Sequence, residues 1–255
     1  MATEYSGTGD PIGSMTLLWG LQEKPKRGPK PRLTVAQITR AAIELADAEG
    51  LEAVSMRRIA EKLGGVTAMS LYTYVPGKGE LLDLMLDAVF GEVLDPIPDG
   101  GWRERVEVVA RRNRELYLRH PWLIQIAITR PVLGPNLLAK YELELSTVEG
   151  LGLTDVDMDL LLSMIGDYVH GAARAAIHAA QAETHTGMTD NQWWEAHAPL
   201  LEKVYDASKY PVASRVGNTV GQEYGAGDPE RSFEFGLQRL LDGVEALIAL
   251  RAASR

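Results

Sequence analysis

The chain contains no cysteine and no long apolar run that is free of charged residues. Without cysteine there is neither a disulfide framework nor a thiol nucleophile, and a zinc site would have to use histidine and carboxylates. No N-terminal apolar run resembles a signal peptide, and no later one resembles a membrane span. We therefore expect a soluble, cytoplasmic protein without a membrane partner. Its 255 residues can bury a substantial core.

The arrangements that catalysis or metal binding requires are also missing from the sequence. None of the five histidines has HExxH spacing. Asp155, Asp157 and Asp159 begin like a calcium loop, but Leu160 stands where the glycine belongs and Gly166 where the bidentate glutamate belongs. There is no GxSxG elbow and no phosphate loop. We expect no catalytic residue, no metal and no cofactor, and hence a protein that is not an enzyme.

Charge is unevenly distributed along the chain. The net charge is −9, yet residues 24–82 carry +4 and residues 83–255 carry −10. A basic end on an acidic body orients a protein on a polyanion. Within the basic end, residues 24–32 read KPKRGPKPR and cannot form a helix, so Lys30 and Arg32 are candidates for contact with phosphates or a minor groove. A solvated linker explains the same composition.

Residues 55–82 have the pattern of a helix-turn-helix. Ser55 is a candidate N-cap for a helix at Met56–Leu63, and Gly64-Gly65 supply a sharp turn. The next segment directs Leu71 and Val75 inward and carries hydroxyl groups on its other side, before a proline-glycine pair stops it. Two short helices joined in this way are typical of DNA-binding proteins.

The stretches SMRRIAEKLG and SLYTYVPGKGELL resemble the DNA-binding signature of the tetracycline-repressor (TetR) family of transcriptional regulators. The resemblance runs from about Thr34 to Leu82, with one residue more between Leu63 and Leu71 than the commonest pattern has. Together with the composition of the N-terminal residues, which lack periodicity and are rich in glycine, serine and threonine, it predicts an all-α fold of three regions. These are a disordered N-terminal extension with a basic arm at residues 1–33, a three-helix helix-turn-helix DNA-binding domain at 34–82, and a larger helical ligand-binding and dimerisation domain at 83–255.

The resemblance also implies roles for individual residues. Arg57 is expected to reach a base edge or a phosphate, Tyr72 and Lys78 match phosphate-contacting positions, and Tyr74 matches a position beside the groove. Residues 67–70 begin the recognition helix, the end that meets base edges. The predicted DNA-binding residues are Arg57, Thr67, Ala68, Met69, Ser70, Tyr72, Thr73, Tyr74 and Lys78, together with Lys30 and Arg32 of the arm.

The remaining chain has helical periodicity, and two of its helices predict self-association. The last one, at about residues 229–252, carries a continuous apolar stripe from Phe233 to Ile248. The helix around residues 165–180 is narrow because of Gly166, Gly171 and several alanines. Paired with their two-fold mates, such helices form a four-helix interface. The alternative is that both stripes are buried within one subunit.

Large aromatic and methionine side chains of the second half could line a small-molecule pocket, although burial in the core is the simpler explanation. Thr129-Arg130-Pro131 resembles the turn that borders the drug pocket of the tetracycline repressor. By that resemblance Ile126 stands at the position of the histidine that binds magnesium, and Asp167 at the position of a histidine that contacts the drug. The site for the complex of magnesium with tetracycline is therefore not reproduced. The predicted ligand-binding residues are Trp122, Ile126, Thr129, Arg130, Tyr141, Met164, Asp167, Tyr168, Trp193 and Trp194.

These observations predict a homodimeric repressor that binds a palindromic DNA operator and is released by an apolar or aromatic effector. Two alternatives stay open: a small-molecule-binding protein or enzyme without DNA binding, and a DNA-binding regulator without a ligand. The sequence names neither the operator nor the effector nor the regulated genes, and it does not itself distinguish a repressor from an activator.

Overall fold

The structure, a computed structural model, describes residues 4–22, 33–128, 130–225 and 227–253. Within these residues two two-residue strands, β1 (Glu4–Tyr5) and β2 (Ile126–Ala127), pair in parallel. The helices are α1 (Pro11–Leu18), α2 (Val35–Glu49), α3 (Met56–Leu63), α4 (Ala68–Leu71), α5 (Lys78–Phe90), α6 (Trp102–Arg119), α7 (Pro135–Ser146), α8 (Asp155–Thr186), α9 (Asp190–Val204), α10 (Pro211–Tyr224) and α11 (Pro229–Ala253). The predicted all-α fold is confirmed. None of the described helices has the length and apolar character needed to cross a membrane.

Helices α2 to α4 form a compact unit, here called the head (residues 34–82). Thr34 and Gln37 form a capping box at the start of α2, and Gly50 ends that helix with φ +85°. The Ser55 side chain accepts the amide of Arg58 at the start of α3, as predicted. These local signals place the ends of α2 and α3 before any tertiary contact is considered.

The turn between α3 and α4 accommodates the additional residue noted in the sequence. Gly64 and Gly65 both have left-handed backbones, with φ of +65° and +67°. Thr67 then caps α4, its hydroxyl accepting the Ser70 amide. Leu71 and Val75 are fully buried, so the opposite side of α4 and of the turn after it faces outward. The direction of the second motif helix predicted from sequence is therefore correct.

Helix α5 connects the head to the body (residues 83–253) and is the most deeply buried element. Its core side chains are Leu81, Leu82, Leu84, Met85, Leu86, Val89 and Phe90. Three acids on the same helix, Glu80, Asp83 and Asp87, are buried as well. The domain boundary predicted between residues 82 and 83 falls inside this helix and stays a prediction.

The N-terminal extension departs from its prediction. Residues 4–22 were expected to be disordered, but they form β1 and α1, and Leu17 joins the core of the head. The reason is tertiary: polar groups of this Gly- and Ser-rich stretch bond to the acids of α5 and to the chain after β2. Such partners leave no periodic signal in the sequence.

The body has its own core between α6, α8 and α11. The buried stripe of α8 contains Met158, Leu161, Ile165, Val169, Ala173 and Ile177. On α11, Phe233, Leu237, Leu241 and Val244 are buried, whereas Leu240, Leu247 and Ile248 of the predicted stripe are only half-buried. Helix α10 was not predicted; its apolar side chains Val212 and Val216 are exposed, so no buried face marks it in the sequence.

Candidate nucleic-acid interface and ligand-binding surfaces

The head presents most of the predicted DNA-binding side chains to solvent. Arg57 on α3 has a side chain that is 85% exposed, and Met69 on α4 is 75% exposed. Thr67, Tyr72, Thr73 and Lys78 are exposed as well. Ala68 and Tyr74 are different, because they are partly buried against the core of the head. The surface is therefore formed by α3, α4, the turn after α4 and the first residue of α5.

Two hydroxyls of this surface already bond to the backbone of the turn. Ser70 Oγ donates to the Thr67 carbonyl at 2.7 Å, and Thr73 Oγ1 donates to the Ser70 carbonyl at 2.7 Å. These bonds stiffen the one-turn helix α4, which is too short to be stable by itself. Lys30 and Arg32 of the predicted arm lie outside the described residues.

Each of the five basic side chains of the described head forms an ion pair. Arg40 and Lys62 share Glu44, Arg57 pairs with Glu61, and Arg58 pairs with Glu49. These acids all belong to the head. Lys78 differs, because its Nζ lies 2.5 Å from Oε1 of Glu4, in the N-terminal segment. The Lys62 ammonium lowers the pKa of Glu44, and the Arg58 guanidinium lowers that of Glu49.

A polar junction joins the head to the body. Oδ1 of Asp47 on α2 accepts the indole N–H of Trp122 at 2.7 Å and lies 2.7 Å from Nδ1 of His120. Nε2 of His120 lies 3.2 Å from a Glu92 carboxylate oxygen, and Glu92 also pairs with Arg119. Trp122 is 1% exposed and His120 4% exposed, so both side chains are held inside the molecule.

Sequence reasoning missed the three buried acids of α5. Glu80 accepts the amide of Asp10, and Asp83 accepts the amide of Gly7 and the hydroxyl of Ser14. Asp87 accepts the amides of Asn136 and Leu137, which caps α7 from another helix. Burial raises the pKa of Asp87, against the opposing effect of these bonds. The sequence did contain a signal for them, because the three acids lie on one face of an otherwise apolar helix.

The described members of the predicted ligand-binding group near β2 have different surroundings. Trp122 is part of the polar junction, and Ile126 is buried in β2. Arg130 is exposed, and its carbonyl accepts the Ser6 hydroxyl. Thr129 lies outside the described residues. The ligand role of all four stays a prediction.

The remaining predicted ligand residues line separate surfaces of the body. Asp167 and Tyr168 border a groove of about 620 Å³ between α8 and the start of α11, where the Tyr168 hydroxyl donates to the carbonyl of Phe233. Met164 borders a second groove of about 400 Å³ between α8 and α11. Tyr141 is exposed and donates to Asp159, and its hydrogen bond to that carboxylate raises its pKa.

Trp193 and Trp194 form an exposed aromatic cluster on α9. The two rings meet edge to face at 5.0 Å, and Trp193 stacks on His197 at 4.1 Å. Both tryptophans are nearly half exposed. They are available for a contact with another molecule, but the described part of one chain does not enclose them in a pocket with Tyr168.

Two titratable side chains between α6 and α8 have shifted pKa values. Tyr117 meets His170 edge to face at 5.3 Å. Burial, with a contribution from the carboxylates of Glu144 and Asp167, raises the pKa of Tyr117 to about 12. Burial lowers the pKa of His170. Both groups are therefore favoured in their neutral forms.

Among the described residues, no group of three histidine or acidic side chains could hold a metal ion.

Two family models match this chain. The one described as "Bacterial regulatory proteins, tetR family" matches residues 38–85, and "Tetracyclin repressor-like, C-terminal domain" matches residues 96–248. The chain is 48% identical over 253 residues to the HTH-type transcriptional repressor DrrR1 of Streptomyces coeruleorubidus, covering 98% of this chain and 91% of that protein.

Solved structures of ActR from Streptomyces coelicolor resemble the whole fold. Apo ActR is 30% identical and superposes with a TM-score of 0.68, covering 89% of this chain and 100% of ActR. ActR in complex with actinorhodin is 31% identical, with a TM-score of 0.68, covering 86% of this chain and 99% of that one.

Proposed function

This chain belongs to the TetR family of bacterial transcriptional regulators. We propose that it is a homodimeric repressor that binds a palindromic operator and dissociates from it when a small-molecule effector binds. The observation that carries the DNA-binding role is the geometry of the head. Leu71 and Val75 anchor α4 and the turn after it in the core, while Thr67, Met69 and Tyr72 remain exposed, as does Arg57 on α3. A short helix held in this way can enter a major groove.

The side chains of this surface divide into two chemical classes. Arg57 can bond bidentately to guanine, and Met69 offers an apolar contact to a thymine methyl group, so both can read sequence. Tyr72 and Lys78 suit phosphate oxygens, which fix register without reading sequence. Arg57 is held by Glu61 at 2.9 Å, and operator binding replaces that acid with a base edge or phosphate.

The dimer is supported by apolar surface that one chain leaves uncovered. The groove between α8 and α11 is lined by Leu160, Met164, Leu240 and Leu247, and Leu160 is 60% exposed. At Gly166 and Gly243 an added Cβ would meet no other atom within 4 Å. Two copies packed through these helices bury this groove and place two heads on one face of DNA.

The effector role is supported by the solved complex of ActR with actinorhodin. On this chain the groove with Asp167 and Tyr168 joins polar groups to an alanine-rich wall, and the tryptophans of α9 supply exposed aromatic surface. An apolar or aromatic molecule with a few polar groups suits such a surface.

The test is a selection of duplexes from a random-sequence pool by the full-length protein. We expect enrichment of an inverted repeat whose half-sites lie about 34–36 Å apart, the spacing of successive major grooves. Candidate effectors are then titrated against the selected complex, and a true effector weakens DNA binding by the same factor by which DNA weakens the binding of the effector. Failure to enrich any duplex would refute the proposal.

A further inference from the structure

The N-terminal segment Glu4–Trp19, here called the strap, is fastened to the start of α5. The amide of Gly7 donates to Asp83 Oδ1 at 2.9 Å, and the Ser14 hydroxyl donates to Asp83 Oδ2 at 2.9 Å. The amide of Asp10 donates to Glu80 at 2.8 Å. Asp83 and Glu80 are buried, so these bonds to charged acceptors are among the stronger polar contacts of the fold.

The strap is also fastened to the segment after β2. Strand β1 pairs with β2, and the Ser6 hydroxyl donates to the Arg130 carbonyl at 3.1 Å. The Trp19 indole N–H donates to the Leu133 carbonyl at 2.9 Å. One short segment therefore touches both the head end of α5 and the body segment 126–133, of which Thr129 lies outside the described residues.

Between these two attachments the strap places a carboxylate on a DNA-binding residue. Glu4 belongs to β1, and its Oε1 lies 2.5 Å from Nζ of Lys78, the first residue of α5. Both side chains remain partly exposed, 38% for Glu4 and 48% for Lys78, so the pair can open. The other basic side chains of the described head pair with acids that move with the head itself.

We infer that Glu4 is an internal competitor of DNA phosphate for Lys78, and that β1–β2 pairing links this competition to the position of the body segment 126–133. The inference rests on the proposed DNA-binding function. A phosphate that approaches Lys78 must displace the Glu4 carboxylate, which also repels it. When β1 stays paired with β2, Glu4 cannot move far from Lys78, and DNA binding is weaker. When the segment 126–133 shifts and takes β1 with it, Lys78 becomes available.

The first test compares Glu4→Gln with the wild type for binding to a labelled duplex of about 30 base pairs and mixed sequence, long enough for two half-sites. Phosphate contacts do not depend on sequence, so an identified operator is not needed. We expect Glu4→Gln to bind about two- to fivefold more tightly per subunit, the range of an exposed ion pair, and the gain to shrink as salt is added. In a Lys78→Gln background the same substitution should have a smaller effect.

The matched control is Glu52→Gln, which removes one negative charge from an exposed position of the head. An equal gain from Glu52→Gln, or an equal gain with and without Lys78, would mean a general charge effect and would overturn the inference. If Lys78→Gln weakens binding but Glu4→Gln changes nothing, the inference fails while the DNA-binding function stands. If the wild type binds neither this duplex nor any duplex from the random-sequence pool, the proposed function itself fails.

The link to the body is tested with a disulfide, which the absence of cysteine makes unambiguous. Tyr5 and Ala127 are register partners on adjacent strands, which lie about 4.8 Å apart, within the range that a disulfide spans. We expect the oxidised Tyr5→Cys/Ala127→Cys protein to bind the duplex more weakly than the same sample after reduction. Adding Glu4→Gln should abolish the difference. Equal binding by the oxidised and reduced forms would overturn the link.

Discussion

Replacing Asp47 with alanine removes the acceptor at the junction between head and body. Its Oδ1 serves both the indole N–H of Trp122 and Nδ1 of His120, at 2.7 Å each. Both donors belong to side chains that are almost completely buried. After the substitution neither nitrogen keeps an acceptor among the described residues of the junction, because the Glu92 contact of His120 uses Nε2.

The expected loss in free energy of unfolding follows from these contacts. A buried donor left without its partner costs about 1–3 kcal/mol, which gives about 2–6 kcal/mol for two. Asp47 itself is 32% exposed, so water can enter the space that its carboxylate leaves and partly replace it. We therefore expect a loss of about 2–3 kcal/mol. Substitution of an exposed acid without such contacts usually changes stability by less than about 0.5 kcal/mol.

Urea unfolding at one fixed protein concentration measures this loss, since dimerisation would otherwise shift the midpoint. Asp47→Asn keeps an oxygen acceptor in place and should recover at least half of the stability. Glu52→Ala is the matched control for loss of an exposed acid in the head. A loss below about 0.5 kcal/mol for Asp47→Ala would refute the assigned role of the junction.

Three further predictions concern other parts of the molecule. Arg57→Ala should cost about 1–3 kcal/mol in operator binding and relax preference at one base pair, and an unchanged footprint would remove Arg57 from the recognition set. Leu160→Glu should yield monomers in sedimentation and abolish two-site DNA binding, whereas Leu200→Glu, equally exposed on α9, should remain dimeric. The pKa of Tyr117 is higher in the folded than in the unfolded protein, so its contribution to stability is present below the unfolded pKa and is lost above it. The wild type should therefore lose stability as pH rises from about 10 to about 12, and Tyr117→Phe should lose less. Parallel curves of stability against pH for the two proteins would contradict the shift.

The head was predictable from sequence because its signals are local. Ser55 caps α3 through an amide three residues away, and Gly64-Gly65 turn the chain with their own backbones. Leu71 then needs only helical spacing to face the core. Each of these features depends on neighbours in the chain, so a single sequence contains the information.

The strap and the polar junction were not predictable, because their contacts join residues far apart in the chain. Ser14 bonds to Asp83, 69 positions away, and Asp47 bonds to Trp122, 75 positions away. A segment rich in glycine and serine reads as disorder until its acceptors are known. For the same reason Trp122 was predicted as a ligand contact, although its indole N–H is committed to Asp47. The roles of the ligand-binding residues and the domain boundaries remain predictions.

The placement of these long-range contacts bears on how an effector could act on DNA binding. Asp47 of the head accepts a bond from Trp122 of the body, whereas Asp83 accepts bonds from the strap and Asp87 accepts bonds from the start of α7. A hydrogen bond to a charged group contributes about 1.5–3 kcal/mol, and a typical coupling between an effector and a distant ligand is about 1–3 kcal/mol. Changing one such bond is therefore enough to account for release. Most residues of α5 are buried, and close-packed helices transmit displacement, so we expect that breaking the bond at Asp87, near α7, also displaces Lys78 at the other end of the helix.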